Sequence, residues 1–243
     1  MRRALAAAAV VVLALGGCGE PDATDNEGKI TVFAAASLAG VLRDLEPRFE
    51  REHAGTDIVF SFGGTTGLAQ QITAGAPADV FAADAAASMG RVAGVTPTLL
   101  ARNQLVIAVA PGNPLKIRSL ADLAKAKVAI CATEVPCGAT AQTVLGAAGV
   151  KITPAIQELD SRSALTRLTL GEVDAALVYR TDAAAAIGQV DAVEFGESAK
   201  AVDDVLVAGL PGAPNPAGAK SFVEFLSTQP ATAALREAGF TLP

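Results

Sequence analysis

The sequence predicts an α/β fold in which parallel strands are covered by helices. Short apolar runs that are typical of strands, such as residues 30–34 and 175–179, alternate with amphipathic runs that are typical of helices, such as residues 38–53. This alternation is characteristic of parallel sheets flanked by helices. Small and hydroxyl-bearing residues occupy the points where strands end and helices begin, and ligands bind at that edge of such sheets.

The individual elements follow from the same periodicities. The helix at 38–53 places apolar residues three or four positions apart, at Leu38, Val41, Leu42, Leu45 and Phe49. Further helices are predicted at 68–74, 139–148, 161–170, 217–227 and 230–238, with a short one after Ser119. Further strands are predicted at 57–62, 79–82, 104–110, 127–131 and 202–210.

Residues 1–17 predict a lipoprotein signal peptide. Arg2 and Arg3 precede an apolar run over 4–15 that is too short for a permanent membrane helix. The Leu-Gly-Gly-Cys sequence that ends at Cys18 resembles the bacterial lipobox, which implies lipidation of Cys18 and a mature chain that begins there. An ordinary signal peptide with a chance cysteine is the alternative. Residues 18–28 are predicted to be a polar tether to the extracytoplasmic face of the cell membrane.

Composition excludes several classes of partner. The formal net charge of −6 argues against nucleic acid, and a 4% share of aromatic residues argues against stacking sites for bases or sugars. The single histidine, His53, is distant in sequence from the cysteines, so neither a protein-coordinated metal ion nor a cofactor is expected. Once Cys18 carries lipid, Cys131 and Cys137 remain as an even pair that could be bridged or free.

Five junctions between strands and helices share neutral hydrogen-bond donors. Helix starts carry backbone N–H groups without partners, which suit a small, fully deprotonated anion held without lysine or arginine. Taken alone, Ser37 could equally be a helix N-cap, and the Tyr179 hydroxyl could bond to a backbone carbonyl. No candidate side chain titrates between pH 5 and 8, so the affinity is expected to be nearly independent of pH. The candidate ligands are Ser37, Thr65 (or Thr66), Cys137, Ser161 and Tyr179.

At these same positions the chain resembles the molybdate-binding proteins of ABC importers. The resemblance is carried by the segments at 30–38, 63–72, 75–82, 135–138 and 177–179, of which Gly-Ala-Pro-Ala-Asp-Val-Phe-Ala at 75–82 is the most specific. It implies the two-lobed type II periplasmic binding protein fold, with mainly parallel sheets and the ligand in the interlobe cleft. On this basis the first lobe comprises 29–107 and 185–243, and the second comprises 108–184.

The resemblance also implies roles for the candidate residues. Ser37 and Thr65 would each donate a hydroxyl and an amide, Cys137 and Ser161 would donate amides, and Tyr179 would donate its hydroxyl. The family often has serines near Thr65, alanine at position 137 and valine at position 161. A Cys131–Cys137 bridge is not a general feature of the family.

The implied function is capture of molybdate or tungstate for delivery to an ABC permease and its ATPase. The protein would be a lipid-anchored monomer and would not be an enzyme, with molybdenum present only as the bound oxyanion. A receptor of the same fold for sulfate or phosphate is the alternative. A hydrolase is disfavoured because it needs a base beside a nucleophile, and the single histidine, His53, lies in the predicted helix after Phe49, where it is poorly placed for that role.

Overall fold

The computed structural model describes residues 28–243. The predicted signal peptide at 1–17, the lipidation site Cys18 and all of the predicted tether except Gly28 lie outside the described residues. The strands are β1 Lys29–Ala35, β2 Asp57–Gly63, β3 Val80–Ala83, β4 Thr98–Val109, β5 Val128–Cys131, β6 Ile156–Glu158, β7 Ala175–Tyr179, β8 Asp191–Val193 and β9 Val202–Gly209.

The helices alternate with these strands, as the sequence predicts. They are α1 Ala39–Glu52, α2 Thr65–Thr73, α3 Ala86–Met89, α4 Pro136–Ala148, α5 Ser161–Thr169, α6 Arg180–Ala185, α7 Pro216–Leu226 and α8 Gln229–Glu237. Short 3-10 turns occupy Ala36–Leu38, Leu120–Lys125 and Gly196–Lys200. Among the described residues, no helix is long and apolar enough to span a bilayer.

The strands form one continuous curled sheet in the order β2-β1-β3-β9-β4-β7-β5-β6, with β8 paired to β4. The pairs within β2-β1-β3 and within β7-β5-β6 are parallel, whereas β9 and β4 run antiparallel to their neighbours. The sheet is therefore mixed, where the sequence predicted mainly parallel pairing. The physical reason is that β4 and β9 carry the chain between two groups of parallel strands.

Each group of parallel strands has its own hydrophobic core, which divides the molecule into two lobes. In β4, residues 98–104 pair with β9, whereas residues 105–109 pair with β7. The first core contains Phe49 and Phe222, and the second contains Leu105 and Tyr179. The long strand β4 thus belongs to both lobes, and it enters the second near the predicted boundary at 107.

The residues that follow the predicted lobe boundary at 185 pack against the second lobe. Ala186 and Val190 pack into the core of the second lobe, and Phe195 belongs to it as well. The cause is strand β8, which pairs with the Ile107–Val109 portion of β4 and so holds residues 186–195 in the second lobe. The chain returns to the first lobe along β9.

Candidate functional site

The five candidate ligand residues all lie in the interior, at the ends of strands and the starts of helices where the two lobes meet. Thr65 and Tyr179 are fully buried, and no member of the set is more than 7% exposed. The 3-10 turn that contains Ser37 contacts α5 and α6 of the opposite lobe. The cleft between the lobes is therefore closed in this structure.

Ser37 follows β1 and lies in the middle of the turn Ala36–Leu38. Its side chain caps neither the turn nor α1, so the alternative in which Ser37 serves as a helix N-cap is wrong. Its Oγ is buried and has no hydrogen-bond partner among the described residues. A buried hydroxyl without a partner costs free energy, which makes this atom a candidate donor to a ligand.

Thr65 is the first residue of α2, three residues earlier than the predicted start at Leu68. Gly64 precedes it with extended backbone, and a Cβ at Gly64 would lie 2.4 Å from the carbonyl oxygen of Leu159 in the other lobe. Glycine is therefore required where the two lobes approach. The Thr65 hydroxyl hydrogen-bonds to the carboxyl of Asp84 and lies 3.1 Å from Ser88 Oγ. Thr66 is only half-buried.

In the second lobe, α4 begins at Pro136, so that Cys137 lies in its first turn. Proline suits this position because the first N–H groups of a helix have no partner within the helix. The sulfurs of Cys131 and Cys137 are 2.01 Å apart, which links the end of β5 to the helix start. A Cβ at Gly138 would overlap the carbonyl of Ala132, so the loop folds tightly over this glycine.

Ser161 opens α5 behind an N-cap, Asp160, whose side chain accepts a hydrogen bond from the Ser163 amide at 2.8 Å. This cap occupies the third amide of the helix and leaves that of Ser161 available for a ligand. The Ser161 hydroxyl is already engaged, because it donates to Asp182 at 2.6 Å. Only the backbone of Ser161 is thus free to act as a donor.

Tyr179 ends β7, and its hydroxyl donates to Asp203 Oδ2 at 2.7 Å. Its partner is therefore a carboxylate, and the alternative of a backbone carbonyl is wrong. Asp203 lies on β9 and also accepts from Thr140 Oγ1, at 2.8 and 2.7 Å from its two oxygens. Thr140 lies in α4, so Asp203 connects the end of β7 to the helix that carries Cys137.

Three carboxyl groups that the sequence analysis missed lie behind these hydroxyls. Burial raises the pKa of Asp84 to about 7, against the hydrogen bond from Thr65, and nearby Asp203 raises it further. Burial likewise raises the pKa of Asp182 to about 6, opposed by the hydrogen bond from Ser161, and raises that of Asp203. Burial and the neighbouring carboxylates hold the pKa of Tyr179 well above 10, so its hydroxyl remains a neutral donor.

Small cavities border the closed site. One of 170 Å³ is lined by residues of both lobes, including Ser37, Arg162 and Asp182. Another, of 300 Å³, lies beside Arg43, Gly63 and Arg162. Arg162, which is partly exposed, lines both cavities, and the exposed Arg43 lines the second. Within residues 28–243, no group of three or more His, Cys, Asp or Glu side chains is arranged to hold a metal ion.

The site can therefore offer hydroxyls and helix-start amides to a small anion enclosed between two lobes. Residues 30–241 match the family described as bacterial extracellular solute-binding protein. A molybdate-binding protein of Mycobacterium tuberculosis is 37% identical over 228 residues, covering 90% of this chain and 87% of that protein. One from Escherichia coli is 33% identical over 242 residues, covering 91% and 92%.

Comparison of structures agrees on the fold. The periplasmic molybdate-binding protein of Azotobacter vinelandii superimposes with a TM-score of 0.76 at 19% sequence identity, covering 88% of this chain and 99% of that one. At that identity the likeness concerns the fold, which is the two-lobed architecture expected from the sequence. The family consists of binding proteins and not of enzymes, which agrees with the disfavoured hydrolase. This chain belongs to the bacterial extracellular solute-binding proteins.

Proposed function

We propose that this protein captures molybdate, and tungstate, between its lobes and delivers the anion to the permease and ATPase of an ABC importer. The observation that carries the proposal is the buried Ser37 hydroxyl without a partner, which lies where the first lobe contacts the helix starts of the second. The two molybdate-binding relatives support the same ligand. A dianion accepts from every donor around it, so it would satisfy this hydroxyl and the free amides together.

The proposed ligand set is Ser37 and Thr65 through hydroxyl and amide, Cys137 and Ser161 through their amides, and Tyr179 through its hydroxyl. Each hydrogen bond to a charged oxygen contributes about 1.5–3 kcal/mol, so a set of this size offsets the cost of removing a dianion from water. Phosphate retains a proton near neutral pH and needs an acceptor in the site. Every group in the proposed ligand set is a donor, which favours an anion without a proton.

Calorimetric titration of the full chain, purified in detergent and in a buffer free of phosphate, tests this function. Molybdate and tungstate should each bind with one anion per protein, and sulfate and phosphate should bind much more weakly. Ser37→Ala should weaken binding, whereas Ser163→Ala, which alters a hydroxyl that bonds to the Asp160 cap at 2.8 Å, should change it little. Equal affinity for all four anions, or no binding of any, contradicts the proposal.

We further propose that Cys18 carries lipid and holds the protein, as a monomer, on the outer face of the cell membrane. The support is the apolar run at 4–15 followed by Leu-Gly-Gly-Cys. Mass spectrometry of the membrane-extracted protein should show a chain that begins at a lipidated Cys18, and Cys18→Ala should release the protein from the membrane. An unmodified Cys18 contradicts the anchor, and light scattering that shows a dimer contradicts the monomer.

A further inference from the structure

Two hydroxyls of the proposed site already have their protons engaged. A hydroxyl has one proton to donate, and an ionised carboxylate can only accept. The Thr65 hydroxyl therefore donates to Asp84, and the Tyr179 hydroxyl donates to Asp203, as long as those carboxyls are ionised. Neither hydroxyl can donate to an oxyanion and to its carboxylate with the same proton.

Asp84 and Asp203 are left with different hydrogen-bond partners if the Thr65 and Tyr179 hydroxyls turn towards an anion. Asp203 keeps Thr140, which lies 2.8 and 2.7 Å from its two oxygens, and it is only half-buried. Asp84 is 8% exposed, and within residues 28–243 Thr65 is the one side chain hydrogen-bonded to it. Without Thr65, an ionised Asp84 would be a buried charge beside a dianion with only its own backbone as a hydrogen-bond partner, which is strongly unfavourable.

We infer that capture of the oxyanion takes up one proton at Asp84. The protonated carboxyl then donates to Thr65 Oγ1, and the Thr65 hydroxyl donates its own proton to the anion. The proton comes from the solvent, no covalent bond forms or breaks, and the net charge added to the buried site is −1 instead of −2. The inference rests on the proposed function, and it replaces the expectation of an affinity that is independent of pH.

The charged groups that act on Asp84 favour this uptake. Among the described residues these are Asp203 and Asp182, and both raise its pKa, while the hydrogen bonds from Thr65 and from its own backbone lower it. With a pKa of about 7 before the anion arrives, Asp84 is mostly ionised at pH 8 and mostly protonated at pH 5. A bound dianion raises the pKa further, so uptake is expected at pH 8 and disappears towards pH 5.

Asp182 provides the matched control. It is buried like Asp84 and accepts from the hydroxyl of a proposed ligand residue, Ser161, at 2.6 Å. However, Ser161 is proposed to bind through its amide, so its hydroxyl can stay with Asp182 when the anion enters. The anion therefore breaks no hydrogen bond to Asp182, and no proton uptake is expected there at pH 8.

The experiment is calorimetric titration of the full chain with molybdate at pH 8 and at pH 5, in buffers of different ionisation enthalpy. The slope of the observed enthalpy against the buffer's ionisation enthalpy counts the protons taken up. Wild type should take up about one proton at pH 8 and almost none at pH 5, and its affinity should fall by up to about tenfold per pH unit above pH 7.

Two variants locate the proton. In Asp84→Asn the amide group can donate to Thr65 as a protonated carboxyl would, so the variant should bind molybdate without proton uptake and with an affinity that is flat from pH 6 to pH 8. Asp182→Asn should retain the uptake of wild type at pH 8. If Asp84→Asn fails to fold, the wild-type slopes at the two pH values decide the matter.

Binding by wild type at pH 8 without dependence on the buffer would overturn the inference and leave the proposed function intact. Uptake that persists in Asp84→Asn would also overturn it, since the proton would then reside elsewhere. Absence of binding to any oxyanion would contradict the proposed function itself, and this inference with it.

Discussion

The two lobes supply hydrogen-bond donors in different proportions. The first lobe is proposed to offer the hydroxyls and amides of Ser37 and Thr65, whereas the second offers backbone amides at Cys137 and Ser161 and a single hydroxyl, that of Tyr179. A backbone donor survives substitution of its side chain, but a hydroxyl does not. This difference is consistent with the side chains present at Cys137 and Ser161, where only the backbone is proposed to bind, and it predicts different outcomes for substitutions in the two lobes.

The largest loss of affinity is expected from removing one hydroxyl on each side of the cleft. Ser37→Ala combined with Tyr179→Phe deletes two proposed hydrogen bonds to a charged ligand, which together contribute about 3–6 kcal/mol. Calorimetry should therefore show molybdate binding weakened by roughly 10²–10⁴-fold. The two single variants should lose about half of this free energy each, because the two residues lie in opposite lobes.

The double variant should still fold, because Asp203 keeps its hydrogen bonds from Thr140 when Tyr179 loses its hydroxyl. Circular dichroism and thermal unfolding without ligand provide the control. A double variant that binds molybdate within threefold of wild type would show that these hydroxyls do not contact the anion.

A backbone donor can be removed with proline, and Ser161 is well placed for this test. It is the first residue of α5, a position that proline favours, and Asp160 before it has φ −154° and ψ 160°, which suit a residue before proline. Ser161→Pro deletes the amide, whereas Ser161→Ala keeps it. Titration should show that the proline variant binds molybdate roughly 10- to 100-fold more weakly than the alanine variant, which is a loss of about 1.5–3 kcal/mol in the free energy of binding. Equal affinities would remove the Ser161 amide from the site.

The disulfide is expected to affect stability more than affinity. Cys131 and Cys137 are six residues apart in sequence, and closing so short a loop stabilises the fold by about 2 kcal/mol in the chain-entropy description. Replacing both with alanine should lower the free energy of unfolding by about that amount in a urea titration. Affinity should change by less than about threefold, since the Cys137 amide remains. A larger loss of affinity would mean that the bridge holds the binding loop in position.

Local chemistry in the sequence was enough to place the candidate site residues at buried junctions between strands and helices. Small residues, glycines and hydroxyls at the ends of apolar runs indicated where backbone amides would be free, and Ser37, Thr65 and Tyr179 are indeed buried at such junctions. The spacing of apolar residues likewise predicted the main strands and helices to within a few residues. One exception is β4, which begins at Thr98, six residues before the prediction, because its first half gains pairing from β9.

Features that depend on pairing across the chain were not predictable from the sequence alone. Strands β6 and β8 have three residues each, and they form by pairing with β5 and β4, respectively. Helices α3 and α6 are too short to show a periodicity. The carboxyls Asp84, Asp182 and Asp203 lie 19, 21 and 24 residues from the hydroxyls they accept from, with other elements between. A useful signal for Asp84 was its place directly after β3, at the same edge of the sheet as Ser37.

The smallest expected effect concerns Ser37 in the protein without ligand. Its hydroxyl is buried and has no partner among the described residues, so Ser37→Ala should raise the free energy of unfolding by about 1 kcal/mol. Ser163→Ala, which deletes a hydroxyl that donates to Asp160 at 2.8 Å, should leave stability unchanged or lower it. Urea unfolding of the two variants without ligand makes the comparison. A higher free energy of unfolding in Ser37→Ala would mean that the hydroxyl destabilises the protein without ligand and is retained for binding the anion. A lower free energy of unfolding would assign the hydroxyl a structural role.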